Sequence, residues 1–550
     1  MLRNIFLLTG LFFAASFSLL AQPGGGGIDD SNVTIISNFK ARLTDANRVR
    51  VAPVAAPADT SRRRQQYNVV DRPLNIDYPA PVIRPRGVSR EKAAPTKNGY
   101  ASIGVGLPGA LYGDLSYDLS GVDNADLGIY ARHHSFNNTG KVENQKSSDT
   151  EFGVEGSYLF EQGFAVSAGA SYKTDSRYYY GYNFPKGVSD TVDTPSFTDD
   201  QVRQRFNTFG VHGEIFNGTR TAANIDYKAG IDLYLMDGDP AVRENGIDLT
   251  VSGTKWISDD TPLDLKLRAD FTSFKDTSNQ TLNNIYFSPS YTTPIAGRYR
   301  LKVGVNLTSQ DDDFDVFPDV SLTAPIIDGL LSAFIGAEGS LQKNTMRNLT
   351  DYNPWIDTRF RLRNSEYTRL YGGVDGTISG VSYRLEANHK VVDNLAMYVL
   401  DRSRAIPRFR VLYDDGSITT LQGSATAEPI ENLTVNATVA QRFYSLEDEE
   451  KPWHLPAFTL NAGGTYTLLE GKLTLGAQLY LENGLPWRDA EGNAQNLNAL
   501  TDVNLNGEYD LSDNFSAWLR VNNLLDNERE RFVQYPTIGT NLLVGISAKF

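Results

Sequence analysis

From about residue 99 onward, apolar and polar residues alternate one by one in short runs. Leu263, Leu265, Leu267, Ala269 and Phe271 interleave with Asp264, Lys266, Arg268 and Asp270. Leu473, Leu475, Ala477, Leu479 and Leu481 alternate with Thr474, Gly476, Gln478, Tyr480 and Glu482. Phe164, Val166, Ala168, Ala170 and Tyr172 alternate with Ala165, Ser167, Gly169, Ser171 and Lys173. Period two predicts β-strands with one apolar and one polar face. Such apolar faces either meet in the core of a soluble sandwich or face lipid around a barrel whose polar faces line a lumen.

The connections separate these two architectures. Short turns fall at residues 121–125, 161–163, 217–220, 258–262, 294–297, 326–329, 378–380, 429–432, 469–472 and 511–514. Longer polar connections lie between them, such as 175–204, 344–366, 390–417, 446–453 and 483–496. Outer-membrane barrels join their strands by short periplasmic turns and longer extracellular loops. Ten short turns between two periplasmic ends require eleven outer connections. The expected fold is therefore all-β, an antiparallel transmembrane barrel of about 22 strands (20–22) over residues 99–550. The stretch 408–420 leaves the count open, because Asp414-Asp415-Gly416 also reads as a hairpin turn.

The last strand is the sharpest element. Leu542, Val544, Ile546, Ala548 and Phe550 alternate with Leu543, Gly545, Ser547 and Lys549, and the sequence stops on the aromatic. Leu542, Val544, Ile546 and Phe550 resemble the terminal signal read by the machinery that assembles outer-membrane barrels.

Residues 1–21 read as a secretory signal peptide. Arg3 supplies the positive start, an apolar run follows from Ile5 to Leu20, and Ala21 stands at the expected cleavage point. With no cysteine, the chain has neither a lipoprotein anchor nor disulfides. No later stretch reaches the roughly 20 continuous apolar residues of a membrane helix, yet the chain carries 28 Tyr and 27 Phe. Both facts favour the barrel, exported to the cell outer membrane and surrounded by its lipid.

Charge divides the mature chain. Residues 22–98 hold 13 Lys+Arg against 7 Asp+Glu, whereas residues 99–550 hold 38 against 59. The basic segment is punctuated by Pro53, Pro57, Pro73, Pro79, Pro81, Pro85 and Pro95 and reads as an extended periplasmic or lumenal stretch. Its Arg62, Arg63 and Arg64 face an acidic wall of opposite sign, so they are candidates for docking in or under the barrel mouth; a free periplasmic tail is the alternative.

Candidate chemistry is sparse. His133 and His134 point to opposite faces of a strand and are poorly placed to share a metal. Asp311, Asp313 and Asp315 sit in an acidic stretch, a weak calcium candidate. Val316 and Leu322 occupy positions where a calcium loop of the helix-loop-helix type needs Gly and Glu. Ser176-Arg177-Tyr178-Tyr179-Tyr180 and Asn353-Pro354-Trp355 place aromatics at loop bases, read first as membrane-rim anchors and second as a stacking surface for a ligand. No nucleophile elbow, phosphate loop or paired zinc motif is visible. The expectation is a protein that is not an enzyme and uses no cofactor or nucleic acid.

Near the C-terminus, Leu511-Ser512-Asp513-Asn514-Phe515 turns into a strand. Asn522-Asn523-Leu524-Leu525-Asp526-Asn527 and Tyr535-Pro536-Thr537-Ile538-Gly539 then precede the final strand. This arrangement resembles the end of a TonB-dependent receptor, and the resemblance implies a 22-strand barrel and a TonB-like periplasmic partner. The family's folded plug is not recognisable in residues 22–98, so energised import does not carry over with the wall. Val33, Thr34, Ile35, Ile36 and Ser37 form a weak candidate for the strand-adding box that engages such a partner. Three functions remain open: transport of a solute or membership of an outer-membrane complex by a receptor-like barrel, a passive porin-like channel, and a non-transporting scaffold of the envelope.

Overall fold

The computed structural model describes residues 97–550 apart from 120–122, 185–194, 220, 240, 311–312 and 528. The signal peptide, the candidate box at residues 33–37, Arg62, Arg63, Arg64 and Asp311 lie outside the described residues.

Twenty-two strands form one antiparallel sheet. In chain order, β1 to β8 are Gly99–Leu107, Ala110–Asp118, Ala125–Asn137, Lys146–Leu159, Phe164–Tyr178, Arg203–Asn217, Ile225–Asp239 and Val242–Ser258. Strands β9 to β15 are Thr261–Lys275, Asn279–Ile295, Tyr299–Gln310, Asp313–Ile327, Leu331–Asn344, Arg363–Ile378 and Val381–Asp401. Strands β16 to β22 are Arg408–Ile430, Leu433–Leu446, Phe458–Leu468, Leu473–Asn483, Leu500–Asp510, Phe515–Asn522 and Asn541–Lys549. Each strand pairs with the next, and β22 returns to β1 from Tyr100↔Lys549 to Leu107↔Leu542. Closure removes the free edges that an open sheet would expose to lipid.

All ten short turns expected from the sequence connect strands at the end where the chain enters and leaves the barrel. Many hold a residue in left-handed conformation, such as Asn432 (φ 63°) and Gly380 (φ 80°). The Asp414-Asp415-Gly416 stretch is not a turn but part of the long strand β16, facing a bulge in β15 between Val392 and Leu395.

The period-two faces separate as a membrane wall requires. Ile103, Val105, Leu265, Leu267 and Phe271 are exposed on the outside, although nothing in the described chain covers them. Inside, charges pair across strands: Lys302 Nζ with Asp319 (2.7 Å), Arg369 with Glu338 (3.1 Å) and Glu386 (3.0 Å), and Arg384 with Asp375 (3.1 Å). An apolar outer band around a polar lumen is the signature of a barrel dissolved in a bilayer.

The closing seam depends on two glycines. Gly104 of β1 lies opposite Gly545 of β22, and Trp518 of β21 lies against both on the lumen side. The indole Nε1 donates to Ser102 Oγ at 2.9 Å. A Cβ on Gly545 would run into the Trp518 ring and the Ile103 carbonyl. Gly545→Val is therefore expected to abolish the folded, heat-modifiable band on a semi-native gel. Unchanged barrel resistance to detergent would refute this account of the seam.

Candidate functional site

The long outer connections fold together instead of standing in solvent. Residues 345–362 begin with a helix, Met346–Tyr352, whose cap Thr345 Oγ1 accepts from Asn348 N at 3.3 Å. The helix start points at Glu244 on the lumen face of β8, which accepts from Met346 N (2.7 Å) and Arg347 N (3.4 Å). A carboxylate satisfies the free N–H groups of a helix start and complements its dipole. Tyr234 donates to the same carboxylate at 3.0 Å. The helix is thus anchored inside the barrel, not above it.

Asn353 then accepts from Trp355 N at 3.0 Å, turning the chain so that the indole enters the interior. There Trp355 stacks on Tyr535 at 4.4 Å and meets Tyr180 edge-on at 5.7 Å. Tyr535 donates to Pro407 O at 2.6 Å, and Pro536 O accepts from Tyr180 (2.9 Å) and Gln145 (3.2 Å). Asn523 holds the base of that last connection, accepting from Asn527 N (3.1 Å) and donating to Ile538 O (2.8 Å). The two C-terminal stretches that carry the family resemblance are therefore working parts of this assembly.

The result is one buried apolar layer. It runs from Phe206, Met236, Val242, Phe274 and Leu282 on the lumen faces of β6 to β10 to Phe409, Leu485, Phe532, Val533 and Tyr535 on the far side. Its members include residues of outer connections separated by hundreds of residues, which meet at the outer end of the barrel in one layer, the lid. Burial removes these rings from water and pushes the Tyr179 and Tyr180 hydroxyls above their ordinary range.

Three polar devices lock the lid. Arg531 reaches Glu482 on β19 with two bonds, Nε at 2.9 Å and Nη2 at 3.2 Å, and its guanidinium lies over Tyr352 (4.6 Å) and Phe532 (4.9 Å). Arg404 pairs with the buried Asp357 at 2.9 Å, joining two connections. His454 is fully enclosed. Its Nδ1 donates to Tyr398 O at 2.9 Å, its Nε2 accepts from Val533 N at 3.3 Å, and its ring stacks on Phe532 at 5.6 Å. Burial pushes His454 down to about 4, so the imidazole is neutral at physiological pH.

The sequence candidates fall into place around this lid. Tyr179, Tyr180 and Trp355 are not rim anchors in contact with lipid; they pack in the lid, because the Tyr180 and Trp355 rings meet and the Tyr179 hydroxyl and Trp355 indole donate to backbone carbonyls. Asp313 and Asp315 lie in strand β12, alternating with Phe314 and Val316, so the expected acidic loop is extended wall instead. Among the described residues no three His, Asp or Glu side chains gather in a way that could hold a metal ion. His133 bonds to Thr150 (2.8 Å) and Ser135 (3.2 Å), while His134 lies beside Tyr112 on the other face. Arg531, Glu482, Glu244 and His454 escaped sequence reading. Only His454 carries a local signal, a polar residue between apolar neighbours in Trp453-His454-Leu455; Arg531 closes the charged run Arg529-Glu530-Arg531, and Glu244 and Glu482 sit among polar residues near strand ends.

No protein-family model and no curated protein matches the chain. Solved structures do. The FrpB iron transporter from Neisseria meningitidis superposes with a TM-score of 0.64 at 10% identity, covering 83% of this chain and 82% of that one. The ferric-catecholate import receptor Fiu from E. coli K12 gives 0.62 at 10% identity, covering 84% and 82%. The ferripyoverdine receptor of the outer membrane of Pseudomonas aeruginosa gives 0.60 at 12% identity, covering 84% and 73%. The likeness is one of fold. It covers the barrel as a whole and agrees with the 22-strand architecture that the C-terminal resemblance implies.

Proposed function

We propose that this chain is a gated, receptor-like barrel that moves a solute across the outer membrane and is closed at rest by its own outer connections. The observation that carries this reading is the buried layer across the outer mouth, held by Arg531–Glu482, Arg404–Asp357 and the Glu244 anchor. A passive porin would conduct steadily, and a lid packed like a protein interior opposes that.

The receptors it resembles in fold are named for ferric complexes, so a ferric chelate is the first solute to try. A TonB-like periplasmic partner, engaging residues 33–37, is the proposed source of opening work. Arg62, Arg63 and Arg64 are proposed, on charge alone, to bind the acidic barrel and restrain it.

Planar-bilayer recording tests the reading. The full chain at neutral pH is expected to be silent, and cells carrying it are expected to take up a ferric chelate only with the partner present. Steady open-channel current from the parent protein would favour the porin instead. Deleting residues 28–95 is expected to raise the opening probability; an unchanged record would remove the basic segment from the mechanism.

A further inference from the structure

The wall is interrupted between β12 and β13. Strands β12 and β13 pair from Ile327↔Leu331 up to Asp319↔Glu338, and there the ladder stops. Yet β12 continues to Asp313, paired only with β11, and β13 continues to Asn344, paired only with β14. Among the described residues neither facing edge has another strand partner. Unpaired strand edges expose a row of free backbone groups, so this arrangement requires a specific cause.

The cause is that the top of β13 leans into the lumen and passes behind β12. Leu341 packs on Phe317 and Tyr286, which face inward from β12 and β10. Lys343 Nζ reaches Asp270 Oδ1 (2.6 Å) and Thr272 Oγ1 (3.0 Å) on β9. Asn364 of β14 exchanges bonds with Asn284 of β10 at 3.2 and 2.7 Å. The Gly339 carbonyl, left without a ladder partner, accepts from Asn306 of β11 at 2.8 Å. Two residues mark the pivot. Pro318 has no N–H to continue a ladder, and a Cβ on Gly339 would meet the Phe317 ring and the Tyr367 carbonyl. This leaning pair of strands carries the lid helix Met346–Tyr352 at its tip.

The unused edges match in length and register. Continued residue by residue, the β12–β13 pairing sets Phe317 opposite Ser340, Val316 opposite Leu341 and Asp315 opposite Gln342. It ends with Asp313 opposite Asn344, the first residue of one strand and the last of the other. The faces match too. Ile335 is exposed on the outside of β13, so by period two Leu341 would join Val316 on the lipid face, and Ser340 and Gln342 would join the polar lumen. In the closed state Phe314 and Val316 stand 64% and 63% exposed beside the gap.

We infer that the lid opens by zipping β13 onto the free edge of β12, which completes the wall and swings the β13–β14 tip out of the lumen. The inference rests on the gated-barrel reading and names its moving part. Opening exchanges Lys343–Asp270, Asn364–Asn284 and the Leu341 contact for new ladder bonds at edges already in register.

The chain has no cysteine, which makes cross-linking direct. V316C/L341C reports the zipped state, because directly opposed residues in an antiparallel pair come within disulfide reach. V320C/A337C, opposed in the existing ladder, is the control. N284C/N364C, bridged with a short thiol cross-linker, holds the closed state. R531A loosens the lid, and E482Q replaces it if R531A fails to fold.

V316C/L341C is expected to bridge several-fold faster with R531A than without it, and closing N284C/N364C is expected to silence the R531A current. Absence of the V316C/L341C bridge in the loosened barrel while V320C/A337C bridges fully would overturn the zipper. So would an R531A current that survives the N284C/N364C lock. Bridging without current in any variant would uphold the zipper and sink the transport reading.

Discussion

Arg531→Ala is expected to turn a silent barrel into a conducting one. The guanidinium makes two bonds to Glu482, which is almost wholly buried, and covers the Tyr352 and Phe532 rings. Removing Arg531 leaves the Glu482 carboxylate buried without its counter-charge and with only the Tyr480 hydroxyl donating to it, a loss of about 3–5 kcal/mol for a broken buried pair. That corresponds to a shift of roughly a hundred- to a few thousand-fold in the lid equilibrium. The wall itself does not depend on Arg531, so the barrel should still fold and keep its heat-modifiable mobility. The double variant Arg531→Met/Glu482→Leu separates this account from simple damage. Apolar groups of similar size remove both charges together, and such replacements are often neutral or stabilising. The double variant should therefore return towards silence in single-channel recording, while either single variant flickers open. A silent Arg531→Ala barrel, or a double variant as leaky as the single ones, would show that the pair does not hold the lid.

What the sequence discloses and what it hides follow from the range of the forces involved. A strand facing lipid on one side and a lumen on the other obeys period two residue by residue, so the wall is written locally. The short turns are written locally as well, because a two- to five-residue reversal needs residues such as Asn432 and Gly380 that accept positive φ. Hence residues 429–432 and 378–380 could be placed without a structure. The exception, Asp414-Asp415-Gly416, has turn chemistry serving a different end. The Asp414 carboxylate accepts from Asp448 N (3.2 Å) and Glu449 N (2.8 Å) and so ties down the connection after β17.

The lid was illegible for the opposite reason. Its bonds join residues remote in the chain, such as Gln145 with Pro536 and Tyr179 with Ile356, and its apolar positions follow no period. Tyr180 and Trp355 therefore read as rim anchors, since nothing local says that their partners are each other. The same holds for the leaning of β13. Leu341 keeps its strand alternation but spends it on Phe317 rather than on lipid, a choice visible only once the ladder is seen to end at Asp319.

Acid should open the lid through His454. The imidazole is sealed between Phe532 and Phe409, with both nitrogens engaged and with Arg531 and Arg402 disfavouring any added positive charge. In the closed lid it titrates at about 4; freed into water it would titrate near its ordinary value of about 6.5. Above that value the ring is neutral in both states, and pH does not bias the lid. As pH falls from about 6.5 towards 4, the open state binds a proton that the closed state refuses. The closed state then loses about 1.4 kcal/mol per pH unit, or about 3 kcal/mol in all. Below pH 4 both states are protonated and the effect levels off. The sign is thus stability lost on acidification across that window, because a proton on Nε2 would face the Val533 N–H instead of accepting from it. Opening probability should rise roughly a hundredfold between pH 7 and pH 4. His454→Gln keeps an acceptor for Val533 without a titrating ring, so its record should be flat over the same range even if its lid is looser throughout. Equal acid activation in His454→Gln would move the effect to other groups. A parent barrel that stays silent at pH 4 would mean that the apolar layer and the Arg531, Arg404 and Glu244 contacts outweigh the buried histidine.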